Sequence, residues 1–266
     1  MDYKTIEYSV EGQVGIIRLN RPEKYNAITH ELKEDMLQVL GVIQNDKHVR
    51  AVILTGNGKG FCAGADLTGF TGPMTPFDVE NDLKLTYANV IKRITGLHKP
   101  VIAAINGPVA GAGLGFALAC DFMIMADTAS MRYAFINIAL VPDAGSSWFL
   151  TRAVGYHKAM EIICGGEKIS AAECKNLGLI SRVVPVDEIM AEAMSFANKM
   201  AEGPTAAYVS TKKILRYAVT HGLNDTIDKE SEEQALHILG HDNMEGVQAF
   251  LEKRTAEFKG KGFDHS

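Results

Sequence analysis

Four short runs, VGIIRL at Val14–Leu19, RAVIL at Arg50–Leu54, VIAAI at Val101–Ile105 and FMIMA at Phe122–Ala126, are apolar almost throughout instead of alternating. A strand exposes its two faces in turn, so an unbroken β-branched run is at home only where both faces are covered. Helical patterns lie between the runs. Leu32, Met36, Leu40 and Ile43 recur at spacings of four, four and three over Thr29–Asn45, which predicts an amphipathic helix. Another helix ends before His98-Lys99-Pro100. Alternating buried strands and helices define the α/β class. The pattern alone leaves an open sheet, a barrel and a spiral equally available.

After about Val184 the strand signals stop, and helices are predicted over 186–200, 204–219 and 223–239. A last one starts with Asp242 as N-cap and carries Met244, Val247 and Leu251 on one face.

The chain has 266 residues and a formal charge of −5. That balance argues against general nucleic-acid binding, which needs a basic face to displace counterions. The helical stretch Asp78–Leu97 also lacks a basic stripe, since Asp78, Glu80 and Asp82 offset Lys84, Lys92 and Arg93. The four cysteines are scattered without metal-site spacing, so a reducing compartment and no metal are expected. Met1–Val10 shows no basic start followed by an apolar run. No export signal is expected, and the cytoplasm is the predicted location. Val101–Ala126 is long and apolar, but Asn106-Gly107-Pro108, the small residues at 110–113 and Asp121 interrupt it. It reads as strand, turn, buried helix and strand, not as a membrane span.

Two glycine-rich segments directly follow strands: GFCAGADL at Gly60–Leu67 and NGPVAGAGLG at Asn106–Gly115. Small residues let a ligand approach the backbone closely. Two strand ends can then aim N–H groups at one spot, which suits a carbonyl oxygen gaining negative charge. The same glycines would equally serve tight turns and close helix packing. Neither segment carries a complete dinucleotide or P-loop signature.

Together with NRPEKYNAI at Asn20–Ile28, KPVIAAINGPVAGAGLGFALACD at Lys99–Asp121 and VPDAGSSWFLTRAVG at Val141–Gly155, these segments resemble, in order and spacing, the signatures of the enoyl-CoA hydratase/isomerase (crotonase) family. The resemblance covers essentially the whole chain. It implies a spiral of ββα units with an acyl-CoA site over residues 1–200. It also implies an all-helical region over 201–266 that builds a homotrimer or a dimer of trimers. The substrate would be a coenzyme A thioester, with no further cofactor. By position, the backbone N–H groups of Ala65 and Ala112 would be the oxyanion donors. Ala63, Ala65, Asp66 and Leu67 would lie along the coenzyme, and Arg21 and Lys24 occupy the segment that approaches its phosphates. As residues alone, Arg21 and Lys24 are also compatible with a solvated surface pair.

Hydratases of the family activate water with two glutamates. The equivalent positions here are Gly115 and Phe135, which cannot move a proton. Asp143 stands where hydratases carry glycine, a place taken by an acid in isomerases of the family. The segment Ala134–Arg152 is especially similar to the ring-epoxide isomerases among them. The resemblance therefore implies an isomerase with Asp143 as its proton shuttle, and hydration or another acyl-CoA lyase or hydrolase chemistry as the alternative. Asp143 also precedes a helix expected to start near Gly145, and Asp is a favoured N-cap worth about 1 kcal/mol. Tyr133 and Asn137 are weaker candidates for the pocket lining, and Trp148 and Phe149 for core or pocket wall. The segment Thr68–Thr86, on which the pocket's shape depends, is the least legible.

Overall fold

The computed structural model describes residues 3–69 and 75–262. Nine strands are defined among them: β1 (Ile6–Glu11), β2 (Val14–Leu19), β3 (Ala51–Gly56), β4 (Val101–Ile105), β5 (Val109–Ala110), β6 (Phe122–Ala126), β7 (Ser130–Arg132), β8 (Lys168–Ser170) and β9 (Arg182–Val184). The α-helices are α1 (His30–Asn45), α2 (Pro76–Asp82), α3 (Ala88–Gly96), α4 (Gly113–Ala119), α5 (Ser146–Val154), α6 (Tyr156–Gly165), α7 (Ala171–Asn176), α8 (Ile189–Glu202), α9 (Thr205–Ala218), α10 (Leu223–Ala235) and α11 (His241–Glu252). A single π-helical turn, Leu83–Tyr87, joins α2 to α3.

The six-stranded sheet has the order β1-β2-β3-β4-β6-β9, and the smaller one the order β5-β7-β8. Strands β2, β3, β4, β6 and β9 are parallel, with β1 antiparallel at the edge. After β4 the chain enters the smaller sheet as β5, returns as β6 and leaves again as β7. Successive turns thus place strands in both sheets, which resolves the open question of topology in favour of the spiral.

The apolar runs are continuous because both faces of the large sheet are buried. Ile17, Val52, Leu54, Val101, Ala103 and Ile105 point into the main core with α1, α3 and α4. Their neighbours Ile16, Ile53, Ile102, Ala104 and Ile124 point the other way, against Ile189, Ala193, Ala197 and Ala201 of α8. The alanine stripe lets α8 lie close to the sheet.

Three sequence expectations need correction. The first strand is not Val14–Leu19: IEYSVE precedes it and pairs along its length with β2, and its alternating pattern suits an edge strand with one covered face. Asp242 is not an N-cap. That position is Gly240, and the Asp242 carboxylate instead accepts the backbone N–H groups of Lys259 (2.8 Å) and Lys261 (3.0 Å). Helix α10 ends at Ala235, short of 239.

Asp121, after α4, locks α9 onto this core. Its carboxylate accepts the Val101 N–H at 2.9 Å and pairs with Lys212 at 2.8 Å and Arg216 at 3.4 Å. The Lys212 side chain is only 9% exposed. Removing its counter-charge would strand an ammonium in the interior, a defect that costs about 3 kcal/mol in buried pairs. Asp121→Ala is therefore expected to lower unfolding stability by about that amount, measured as a lower urea midpoint with unchanged slope.

Candidate active site

The site grows out of one buried asparagine. Asn26 has φ +57°, a conformation that asparagine tolerates better than most residues. Its side-chain amide donates to the carbonyls of Asn57 (3.0 Å), Gly60 (2.8 Å) and Phe61 (3.2 Å), and its Oδ1 accepts from Arg21 N–H (2.9 Å). These bonds hold the turn after β2 against the turn after β3.

Cys62–Asp66 then runs as a narrow ribbon between two neighbours. On one side Ile28 N–H donates to Gly64 O (2.7 Å), and Asp66 N–H to Ile28 O (2.9 Å). On the other side Ala110 N–H donates to Cys62 O (2.9 Å). At Gly64 the two glycine-rich turns meet. A Cβ there would lie 2.9 Å from Ala110 O and 3.3 Å from Ala112 N, and φ is +92°. Only glycine fits so close an approach. Among the described residues neither Ala65 N–H nor Ala112 N–H has a backbone acceptor. Two neighbouring free donors of this kind can hold an oxygen on which negative charge develops.

Asp143 lies over the same region. Gly115 is one turn beyond Ala112 in α4, and a Cβ on it would sit 2.4 Å from Ala144 O and 2.6 Å from Ala144 Cβ. The 143–145 loop is thus pressed onto the start of α4. The place of the first hydratase glutamate is not merely vacant; the neighbouring chain fills it. At the second, Phe135 is buried. Asp143 is not a helix cap: the N-cap of α5 is Gly145, with no side-chain cap bond. It is the Asp143 backbone carbonyl that accepts, from Ser146 N–H (2.9 Å) and Ser146 Oγ–H (2.7 Å). Asp143 Oδ1 is buried with no hydrogen-bond partner among the described residues. Burial pushes this carboxyl up from 3.8 to about 6, its own backbone N–H opposes the rise, Asp82 adds to it and Lys33 opposes it. A largely desolvated carboxylate with such a value can take and return a proton near neutrality.

The coenzyme-side residues divide. Arg21 is committed within the protein, to Asp66 at 2.9 Å and to Ala27 O at 2.6 Å. Bonds from Thr68 and Arg21 hold the Asp66 carboxyl below its usual range, so Asp66 stays ionised and braces the ribbon. Lys24 is exposed, with no ion pair among the described residues. Ala63 and Leu67 are also exposed, and Ala63 N–H donates to Tyr25 O at 2.9 Å. Tyr133 is buried and donates to Ser146 O at 3.4 Å, and Asn137 lies on the exposed turn 134–138. Trp148 and Phe149 border a separate cavity of about 520 Å³ shared with Phe122 and Leu215. Within the segment 68–86, residues 70–74 lie outside the described residues.

Sequence reasoning missed Asn26 and a charge pair with one buried partner. Lys33, on α1, is buried and its Nζ contacts both Asp82 oxygens at 2.5 and 2.7 Å. The same ammonium lies 4.3 Å from the Tyr87 ring centroid. A signal existed: Lys33 stands three residues before Met36, on the buried stripe of its helix. No group of three metal-ligating side chains occurs among the described residues, and no helix there is long and apolar enough to cross a membrane.

Known proteins are similar to this chain in sequence and fold. The family model described as Enoyl-CoA hydratase/isomerase matches residues 9–261. A protein named probable enoyl-CoA hydratase from Rhodobacter capsulatus is 36% identical over 98% of this chain and 100% of its own length. The 1,2-epoxyphenylacetyl-CoA isomerase of Escherichia coli is 36% identical over 95% of this chain and 97% of its own. The crystal structure of an enoyl-CoA hydratase from Bacillus anthracis superimposes with a TM-score of 0.91 at 36% identity, covering 97% of this chain and all of that one.

The Gly115–Ala144 contact makes a direct prediction. Even a methyl group at 115 must displace the Asp143 loop, so Gly115→Ala is expected to cost about 1–3 kcal/mol, read from the urea midpoint. Gly115→Glu should be worse and should not create a hydratase.

Proposed function

The chain belongs to the enoyl-CoA hydratase/isomerase family of acyl-CoA-processing enzymes, and we propose that within it the protein is an isomerase that moves a proton along the acyl chain of a coenzyme A thioester. The single observation that carries this is Asp143: one buried carboxylate with an unpartnered oxygen, beside positions 115 and 135 that offer no other acid or base. Hydration needs groups to orient and deprotonate a water. A double-bond shift needs only one group that accepts a proton and gives it back.

For a 3-enoyl thioester, Asp143 takes the proton from the carbon α to the carbonyl. The electron pair moves into the thioester, and the resulting enolate oxygen is held by Ala65 N–H and Ala112 N–H. The pair then returns to form the 2,3-double bond while Asp143 delivers its proton to the γ-carbon. Atoms and charge balance without metal or redox partner. Coenzyme A is part of the substrate, with the exposed Lys24 as a cation for its phosphates and the backbone at Ala63–Leu67 along its path. The relative named for 1,2-epoxyphenylacetyl-CoA makes a ring-epoxide thioester a second substrate to examine, and the relatives named hydratases keep hydration as the alternative.

Asp143→Asn is expected to lower isomerisation of 3-enoyl-CoA by more than about 10²-fold while leaving acyl-CoA affinity nearly intact. Retained turnover would move the chemistry to another residue. In the wild type, kcat/KM should rise with pH through about 6 as the base form appears. The stability sign follows from the same raised value. The carboxyl's contribution is complete below its ordinary 3.8 and lost as pH climbs through about 6. The Asn variant should therefore gain in Tm relative to wild type above pH 6, not below 4.

We further propose a trimer or dimer of trimers as the working form. The C-terminal helices leave Leu215, Leu223, Phe250 and Leu251 between 62% and 82% exposed, more apolar surface than a monomer keeps without purpose. Light scattering at micromolar concentration should give three or six times the mass of one chain; a monomer would remove the proposal.

A further inference from the structure

Tyr87 ends the π-helical turn Leu83–Tyr87, a feature that often marks functional positions. The ring is buried, with the residue 5% exposed. Its hydroxyl has no hydrogen-bond partner among the described residues. A buried tyrosine normally satisfies its hydroxyl. Here the described residues supply no acceptor.

The side of the helix on which Tyr87 lies follows from its spacing. Tyr87 and Ile91 are four residues apart and share one face. Ile91 Cγ2 lies 3.9 Å from the Cβ position of Gly145, two residues beyond Asp143. The Tyr87 face of α3 and its π turn is therefore turned toward the Asp143 loop. The phenol lies within electrostatic reach of both Asp143 and Cys62, the latter at the root of the Ala65 ribbon. The ring cannot swing freely, because Lys33 caps its face at 4.3 Å and is itself fixed by Asp82, whose Oδ1 also accepts from Thr86 Oγ1–H at 2.8 Å. Burial and the nearby carboxylates of Asp143 and Asp82 raise the phenol's pKa, so it remains a proton donor at neutral pH.

We propose that Tyr87 is a specificity residue of the acyl pocket: its hydroxyl donates a hydrogen bond to an oxygen carried on the acyl chain beyond the thioester carbonyl. It thereby favours oxygen-bearing acyl thioesters over plain hydrocarbon ones. This rests on Asp143 bordering the acyl chain, as proposed above. A pocket built to hydrogen-bond a substrate atom discriminates against the analogue lacking it, because a polar group is otherwise left unpaired. The Lys33–Asp82 pair is the clamp that holds the donor in place.

The test is calorimetric binding of acetoacetyl-CoA and butyryl-CoA, which differ at the acyl chain's third carbon, to wild type and Tyr87→Phe. The substitution removes only a hydroxyl with no protein partner, so the fold is kept, and butyryl-CoA affinity checks that it is. The expected result is that Tyr87→Phe weakens acetoacetyl-CoA about tenfold and leaves butyryl-CoA unchanged. Equal losses for both ligands would assign Tyr87 a structural role, and no loss for either would remove it from the pocket; each outcome overturns the proposal. Binding requires no proton transfer. A normal Tyr87 result with an active Asp143→Asn enzyme would therefore refute the catalytic assignment alone, and the reverse pattern would refute this inference alone.

Discussion

Everything at the site depends on how closely two stretches of backbone can approach. At Gly64 and Ala110–Ala112 the turns after β3 and β4 come together with no room for a side chain. That contact sets the Ala65 and Ala112 N–H groups beside each other. It is not held by local hydrogen bonds alone. Asn26 holds the turn after β3 against the turn after β2, and the parallel pairing of β3 with β4 fixes where the two glycine-rich turns begin. Such donors are useful only if they are already in place when charge develops, since reorganising them would consume the stabilisation they provide. A rigid sheet buried on both faces gives that preorganisation.

The same close packing explains what chemistry is lost and what is kept. With Ala144 pressed on Gly115, water-activating glutamate at that position is excluded by shape. The loop that excludes it also brings in Asp143, half-buried and with one carboxylate oxygen sealed from solvent without a side-chain partner. The desolvation that makes the carboxylate costly to keep ionised makes it a better base. In the proposed mechanism, stability is given up at the residue that moves the proton, and the well-packed cores on either side of the sheet, together with the Asp121 ion pairs, hold the fold.

Much of this was legible in the sequence, for identifiable reasons. The four apolar runs, helix α1 and the helical C-terminal part follow from periodicity. The two glycine turns and Asp143 were visible as residues, though their convergence came from family resemblance and not from spacing. Sequence reading failed where meaning lies in long-range pairing. Ile6–Glu11 was not among the expected strands because an edge strand with one covered face lacks a continuous apolar run. Arg21 looked free to meet phosphate because its Asp66 partner lies 45 positions along the chain. The cap reading of Asp143 was sound chemistry, but the helix starts past Gly145 and draws on the Asp143 carbonyl, not its side chain. Tyr87 was hidden because a π turn shifts the register on which helical patterns rely.

The central claim is that this active site moves protons along an acyl chain and does not add water across a double bond. The most direct measurement gives the purified enzyme 3-enoyl-CoA and crotonyl-CoA in parallel and follows conjugated product from the first and 3-hydroxyacyl-CoA from the second. The account predicts steady conversion of the 3-enoyl thioester to the 2-enoyl form, with hydration of crotonyl-CoA lower by at least about 10²-fold, the scale on which acid–base groups act. Rapid hydration of crotonyl-CoA with no double-bond shift would contradict it.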